Sequence, residues 1–140
     1  MSAVTFVDSN ILIYAHDADA AEKRQQAQAV LAQLWESGAG RLSVQVLQEF
    51  YVNATHRLAT PLARSTAREV VQTYAAWIHE PTTADTVTRA IDIAGLARLS
   101  FWDSLIIASA EQAGAAQLYS EDLSHGQRVA GVVIHNPLRA

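Results

Sequence analysis

Four acidic residues stand where an α/β chain places its chemistry. Asp8 follows the apolar run Val4–Val7 (VTFV) directly, and Asp122 follows the strand-like QLYS in the same way. Asp103 falls in the first turn of a helix that opens at Ser100, and Glu49 lies in the helix after RLSV. Ligands of an open α/β sheet collect at the carboxyl ends of its strands, so these acids are expected to converge on one rim. An oxygen-only set suits Mg2+ or Mn2+, hard cations that keep some of their waters. Without a cation the carboxylates repel one another and some are driven to protonate. With one, the cluster becomes a site for phosphoryl or phosphodiester chemistry.

Each acid also has a plainer use. Ser100-Phe101-Trp102-Asp103 fits a capping box, and Asp8 fits a cap on the helix after it. Glu49 lies off the Phe50/Ala54 stripe of its helix, which by itself describes a solvated side chain, and Glu121 competes with Asp122. Ser9, Asn10 and Ser120 are placed to hydrogen-bond the acids, although serine and asparagine are ordinary at helix starts and turns. Asn53 stands one turn beyond Glu49; Arg64 and Arg68 share a helix face; Trp35, Trp77 and Trp102 read as core.

The elements that must position these residues follow from periodicity and punctuation. Strands are expected at Val4–Val7, Arg41–Val44, Gln117–Ser120 and Gly131–His135. Helices are expected at Asn10–His16, Asp19–Ser37, Gln45–Leu58, Ala63–His79, Asp85–Arg98 and Phe101–Gln112. Short apolar strands alternating with helices describe βαβ units, so the expected architecture is α/β, three layers around a mostly parallel sheet. Without repeats or linkers, residues 1–140 read as one domain.

Composition removes several alternatives. Half of the 140 residues are hydrophobic and 17% are charged, which fits a packed core. There is no cysteine, hence no disulfide, thiolate zinc site or cysteine nucleophile. No uncharged apolar run approaches the roughly 18 residues of a membrane span, and MSAVTFVDSN lacks a basic leader, so a soluble cytoplasmic protein is expected. The sole lysine, Lys23, sits mid-helix and no phosphate-loop motif surrounds it. The HExxH and GxSxG patterns are also missing. The formal charge is −4, and becomes 0 without the four acids. A polyanion would therefore need a locally bound cation to be held here.

Taken in order, FVDSNILIYAHD, SVQVLQEFYVN, SFWDSLIIASAEQAG, LYSEDLSHGQ and a closing VIHNP resemble a PIN domain, and within that family a VapC-type toxin of a toxin–antitoxin pair. The resemblance runs from Val4 to about Pro137. It implies a parallel sheet of about five strands flanked by helices, and a Mg2+- or Mn2+-dependent endoribonuclease. Asp8, Glu49, Asp103 and Asp122 match its metal-binding acids, which selects Asp122 over Glu121. Ser120 matches the hydroxyl that steadies them, Asn10 matches the Asn of Asp-Thr-Asn, and Ser9 replaces its Thr. The resemblance further implies an RNA substrate, a cognate antitoxin lying across the groove, and a homodimer. Two rival readings stand beside it: a nuclease acting on DNA or structured nucleic acid, and a weakly active partner-binding module.

Overall fold

A computed structural model describes residues 3–139; Met1 and Ser2 of the stretch read for a leader, and the terminal Ala140, lie outside it. The strands are β1 (Thr5–Val7), β2 (Gly40–Arg41), β3 (Gln117–Tyr119), β4 (Arg128–Val129) and β5 (Val132–His135). Their order across the sheet is β2-β1-β3-β5-β4, parallel except for β4, which runs antiparallel to β5. Phe6 pairs with Arg41 on one side and Leu118 on the other, so β1 is central and buried throughout. A parallel strand covered on both faces has no solvent side to show, which is why VTFV carries β-branched and aromatic residues without an alternating charged face.

The helices are α1 (Ser9–Ala15), α2 (Glu22–Ser37), α3 (Val44–His56), α4 (Arg64–Tyr74), α5 (Ala84–Ala97) and α6 (Phe101–Gln112). α1 packs on α2 and α3, and α3 on α4; α5 packs on α6, which lies against β3 and β5. Ser104–Ala110 of α6 are all buried, so this part of the helix is enclosed around its whole circumference, with small Ser104 and Ser109 the only polar side chains in it. The α/β architecture with a mostly parallel five-stranded sheet is as expected.

Several boundaries are corrected. Of the expected Arg41–Val44 strand only Arg41 pairs with β1, and β2 begins one residue earlier at Gly40; Ser43 already occupies the cap position of α3, which Val44 opens. α2 starts at Glu22 rather than Asp19, after a turn closed by Asp17 and a left-handed Ala21 at φ 52°. The helix expected to reach His79 tightens into a 3-10 turn at Ala75–Trp77, whose Trp77 carbonyl accepts from the Leu42 N–H at 3.2 Å. β4 was not expected: two residues, one exposed, carry no periodicity to read.

Of the three tryptophans expected in the core, only Trp77 is buried. Trp35 is 40% exposed at the edge of a ring cluster with Tyr74 and Trp77. Trp102 is 62% exposed, because the first turn of α6 projects beyond the packed part of that helix.

Candidate active site

The sheet order reverses at β1, which has β2 on one side and β3 on the other, and the carboxyl ends of β1 and β3 therefore lie side by side. Asp8 is the first residue past β1. Its N–H continues the ladder to the Tyr119 carbonyl at 2.9 Å, and its extended backbone makes it the cap of α1. One carboxylate oxygen accepts from the Ser9 N–H at 2.7 Å, with the Ser9 hydroxyl 3.5 Å away. The other accepts from the Ser120 hydroxyl at 2.9 Å.

Ser120, wholly buried at the end of β3, ties the two strand ends together. Its oxygen also accepts from the Asp122 N–H at 3.2 Å and lies 3.4 Å from Asn10 Nδ2. Asn10 completes the link: its amide donates to Asp122 Oδ2 at 3.2 Å, and its carbonyl accepts from the Glu121 N–H at 3.0 Å. Asp8, Ser9, Asn10, Ser120 and Asp122 thus form one connected polar unit. Glu121 points to a different partnership. It accepts from Tyr14 Oη at 2.6 Å and pairs with Lys23 Nζ at 2.7 Å. Burial pulls its pKa up, but the Lys23 and Tyr14 contacts outweigh that and hold it below the usual value.

Glu49 comes from α3, on a polar ridge beside the buried Val46/Phe50/Ala54 stripe. Gln45, one turn earlier, donates to the Trp102 carbonyl at 3.1 Å and reaches Glu49 Oε2 at 3.4 Å. Asn53, one turn later, donates to the Glu49 carbonyl at 2.8 Å. A cleft of about 470 Å³ is lined by Ser9, Asn10, Glu49 and Asp122 together with Asn53 and Arg57.

Asp103 stands apart from that lining. Its N–H donates to the Ser100 hydroxyl at 3.1 Å, so half of the anticipated capping box is present. The return bond from its carboxylate is missing among the described residues. The tie to the rest of the site runs through Gln45, which bonds the carbonyl just before Asp103.

Electrostatics follow from this packing. Burial pushes the Asp8 carboxyl up to about 7, against the opposing hydrogen bonds from Ser120 and Ser9 and with further upward pressure from Glu49 and Asp122. The structure therefore brings three of the four acids into electrostatic contact. Among the described residues, no three His, Asp or Glu side chains are gathered closely enough to form a finished metal cage. The donor chemistry nonetheless fits a hard divalent ion: the side chains offer oxygen donors, and burial disfavours the charged form of Asp8 in a way a cation would relieve.

Sequence reasoning passed over Gln45 and Arg57. Both were within reach, because 45, 49, 53 and 57 are successive i, i+4 neighbours on one helix.

A five-stranded, mostly parallel sheet with acids at the ends of β1 and β3 defines an α/β domain whose polar cleft lies at a topological switch point. The PIN domain family model matches residues 5–130, and the chain belongs to that family. PIN-domain proteins are nucleases and generally use divalent metal ions. No curated protein sequence matches the chain. Several solved structures share its fold, three of which follow. A VapC20 toxin from Mycobacterium tuberculosis, described as cleaving the sarcin-ricin loop, is 21% identical with a TM-score of 0.60, covering 83% of this chain and 88% of that one. FitAB bound to an IR36 DNA fragment is 17% identical with a TM-score of 0.72, covering 98% and 97%. VapBC2 from Rickettsia felis, bound to a DNA fragment from its promoter, is 14% identical with a TM-score of 0.64, covering 95% and 98%. No helix among the described residues is long and apolar enough to cross a membrane.

Proposed function

We propose that this chain is a divalent-metal-dependent endoribonuclease and the toxin of a toxin–antitoxin pair. The observation that carries the reading is Asp8: a buried carboxylate, pushed to about 7, with Glu49 and Asp122 adding repulsion. Such an arrangement is costly for the empty protein and is relieved by a cation. Asp8, Glu49 and Asp122 would hold Mg2+ or Mn2+, with Asp103 completing the set from the start of α6. When bound, the ion supplies positive charge to phosphate oxygens and makes water more acidic.

The remaining work belongs to the chain. Ser120 and the Ser9 N–H fix the two oxygens of Asp8, and Asn10 fixes Asp122 relative to them. Gln45 and Asn53 hold Glu49 along α3. Water attacks phosphorus in line and the 3′-oxygen leaves, giving a 5′-phosphate and a 3′-hydroxyl. RNA as substrate is supported by the sequence resemblance and by the sarcin-ricin loop cleaving toxin that shares the fold. An antitoxin partner and a homodimer are part of the same reading, as is work in the cytoplasm.

The test is cleavage of a single-stranded RNA and a DNA of matched sequence in Mg2+, with analysis of the product ends. RNA cleavage leaving 5′-phosphates supports the reading. Preference for DNA would move it to a DNA nuclease, and 2′,3′-cyclic phosphate ends would contradict attack by water. Tight partner binding with no metal binding would leave the binding module.

A further inference from the structure

Arg57 lines the same cleft as Glu49 and Asp122 and is paired with neither. Among the described residues the ion pairs within 4.0 Å are Lys23–Glu121 and Arg89–Glu111. The other polar members of the α3 ridge are occupied, Gln45 on the Glu49 carboxylate and the Trp102 carbonyl, Asn53 on the Glu49 carbonyl. Arg57 is exposed at the end of that ridge; its backbone N–H closes α3 on the Asn53 carbonyl at 2.9 Å. Its guanidinium carries a permanent charge and a planar fork of donors that matches phosphate. The chain as a whole has a formal charge of −4, so a polyanion gains nothing from long-range attraction and must be held locally.

We propose that Arg57 holds a backbone phosphate of the nucleic-acid strand lying in the cleft, at a nucleotide beside the one facing the carboxylates. This deepens the nuclease reading and rests on it. Arg57 is on this account a substrate-binding residue that sets affinity and leaves the chemical step to the acids. The plainer role open to it is structural, a cation at the negative end of the α3 dipole.

The experiment is steady-state cleavage of a single-stranded RNA in Mg2+ by the wild-type chain, Arg57→Gln and Arg57→Lys, between about 50 and 200 mM KCl. Arg57→Gln should raise KM about tenfold, the size expected for losing a charged hydrogen-bonding contact. Its kcat should stay within about twofold. Its plot of log kcat/KM against log salt should flatten by about 0.7, one single-strand phosphate contact. Arg57→Lys should keep the slope while giving up part of the affinity, since a point charge replaces a fork. A variant with wild-type KM and slope overturns the proposal, whatever its melting temperature does. Should Arg57→Gln fail to fold, Arg57→Met removes the same charge and keeps the aliphatic stem. Wild-type protein that cleaves no RNA overturns the nuclease reading and this proposal with it; wild-type cleavage with an unchanged slope in the variant overturns this proposal alone.

Discussion

The Ser120 hydroxyl lies 2.9 Å from Asp8 Oδ2, joining the end of the third strand to the end of the first across 112 residues of sequence. It is the only donor to that oxygen among the described residues, and it works from a fully buried position. The Ser120 hydroxyl oxygen in turn accepts from the Asp122 N–H. One serine therefore fixes the distance between two acids that come from opposite ends of the chain.

Ser120→Ala should consequently cost more than a surface serine. It leaves the Asp8 oxygen and the Asp122 N–H without a protein partner, and about 1–3 kcal/mol of stability is expected to go with them. Urea denaturation measures this. Activity per folded molecule should fall as well, since Asp8 and Asp122 lose their common anchor. Full activity with the stability loss alone would reduce Ser120 to a core residue.

The state of Asp8 makes stability depend on pH in a defined direction. Its carboxyl titrates at 3.8 in the free state and at about 7 in the fold, principally through burial. Between those values the folded protein retains a proton that the unfolded chain releases, so stability is fullest below about 4 and declines as pH rises through about 7. Divalent cation favours the charged carboxylate, so Mg2+ should raise the melting temperature more at about pH 8 than at about pH 5. Thermal unfolding of the wild type and Asp8→Asn across pH, with and without Mg2+, checks both statements. Matching pH profiles for the two proteins would contradict them.

Gly40 offers the opposite test, of the frame without the site. A Cβ there would stand 2.7 Å from three atoms of the Trp77 ring, which is itself wedged against Trp35 and Tyr74. Gly40→Ala forces that cluster to move and should destabilise by about 1–3 kcal/mol. Because β2 lies on the far side of β1 from β3, cleavage per folded molecule should be unchanged. A large loss of activity at unchanged stability would show that β2 positions the cleft directly.

How much of this was legible in the sequence differs from element to element. α6 emerges at Phe101–Gln112 just as its cap and length predict, because Ser100 at one end and Gly114 beyond the other punctuate it. β4 was invisible, since two residues make no pattern. Glu49 shows the limit more sharply. The helical wheel places it off the apolar stripe, which is correct, and the structure shows why that does not make it idle: the ridge beside the stripe lines the cleft. A wheel reports which face is buried in the chain itself and is silent about a face turned toward a shared cavity. The exposure of Trp102 escaped for a related reason, because apolar character does not say how far a helix end projects.

The central claim is that Asp8 and Asp122 at the ends of β1 and β3, with Glu49 on α3, form the metal-dependent site of an RNA phosphodiesterase. Its most direct test is cleavage of single-stranded RNA by the purified, partner-free chain in Mg2+ or Mn2+, beside identically purified Asp8→Asn and an EDTA control. The account predicts cleavage by the wild type, abolished by EDTA and reduced more than about a hundredfold in Asp8→Asn, beyond what losing a mere supporting contact produces. Equal cleavage by Asp8→Asn, or cleavage that survives EDTA, would contradict it.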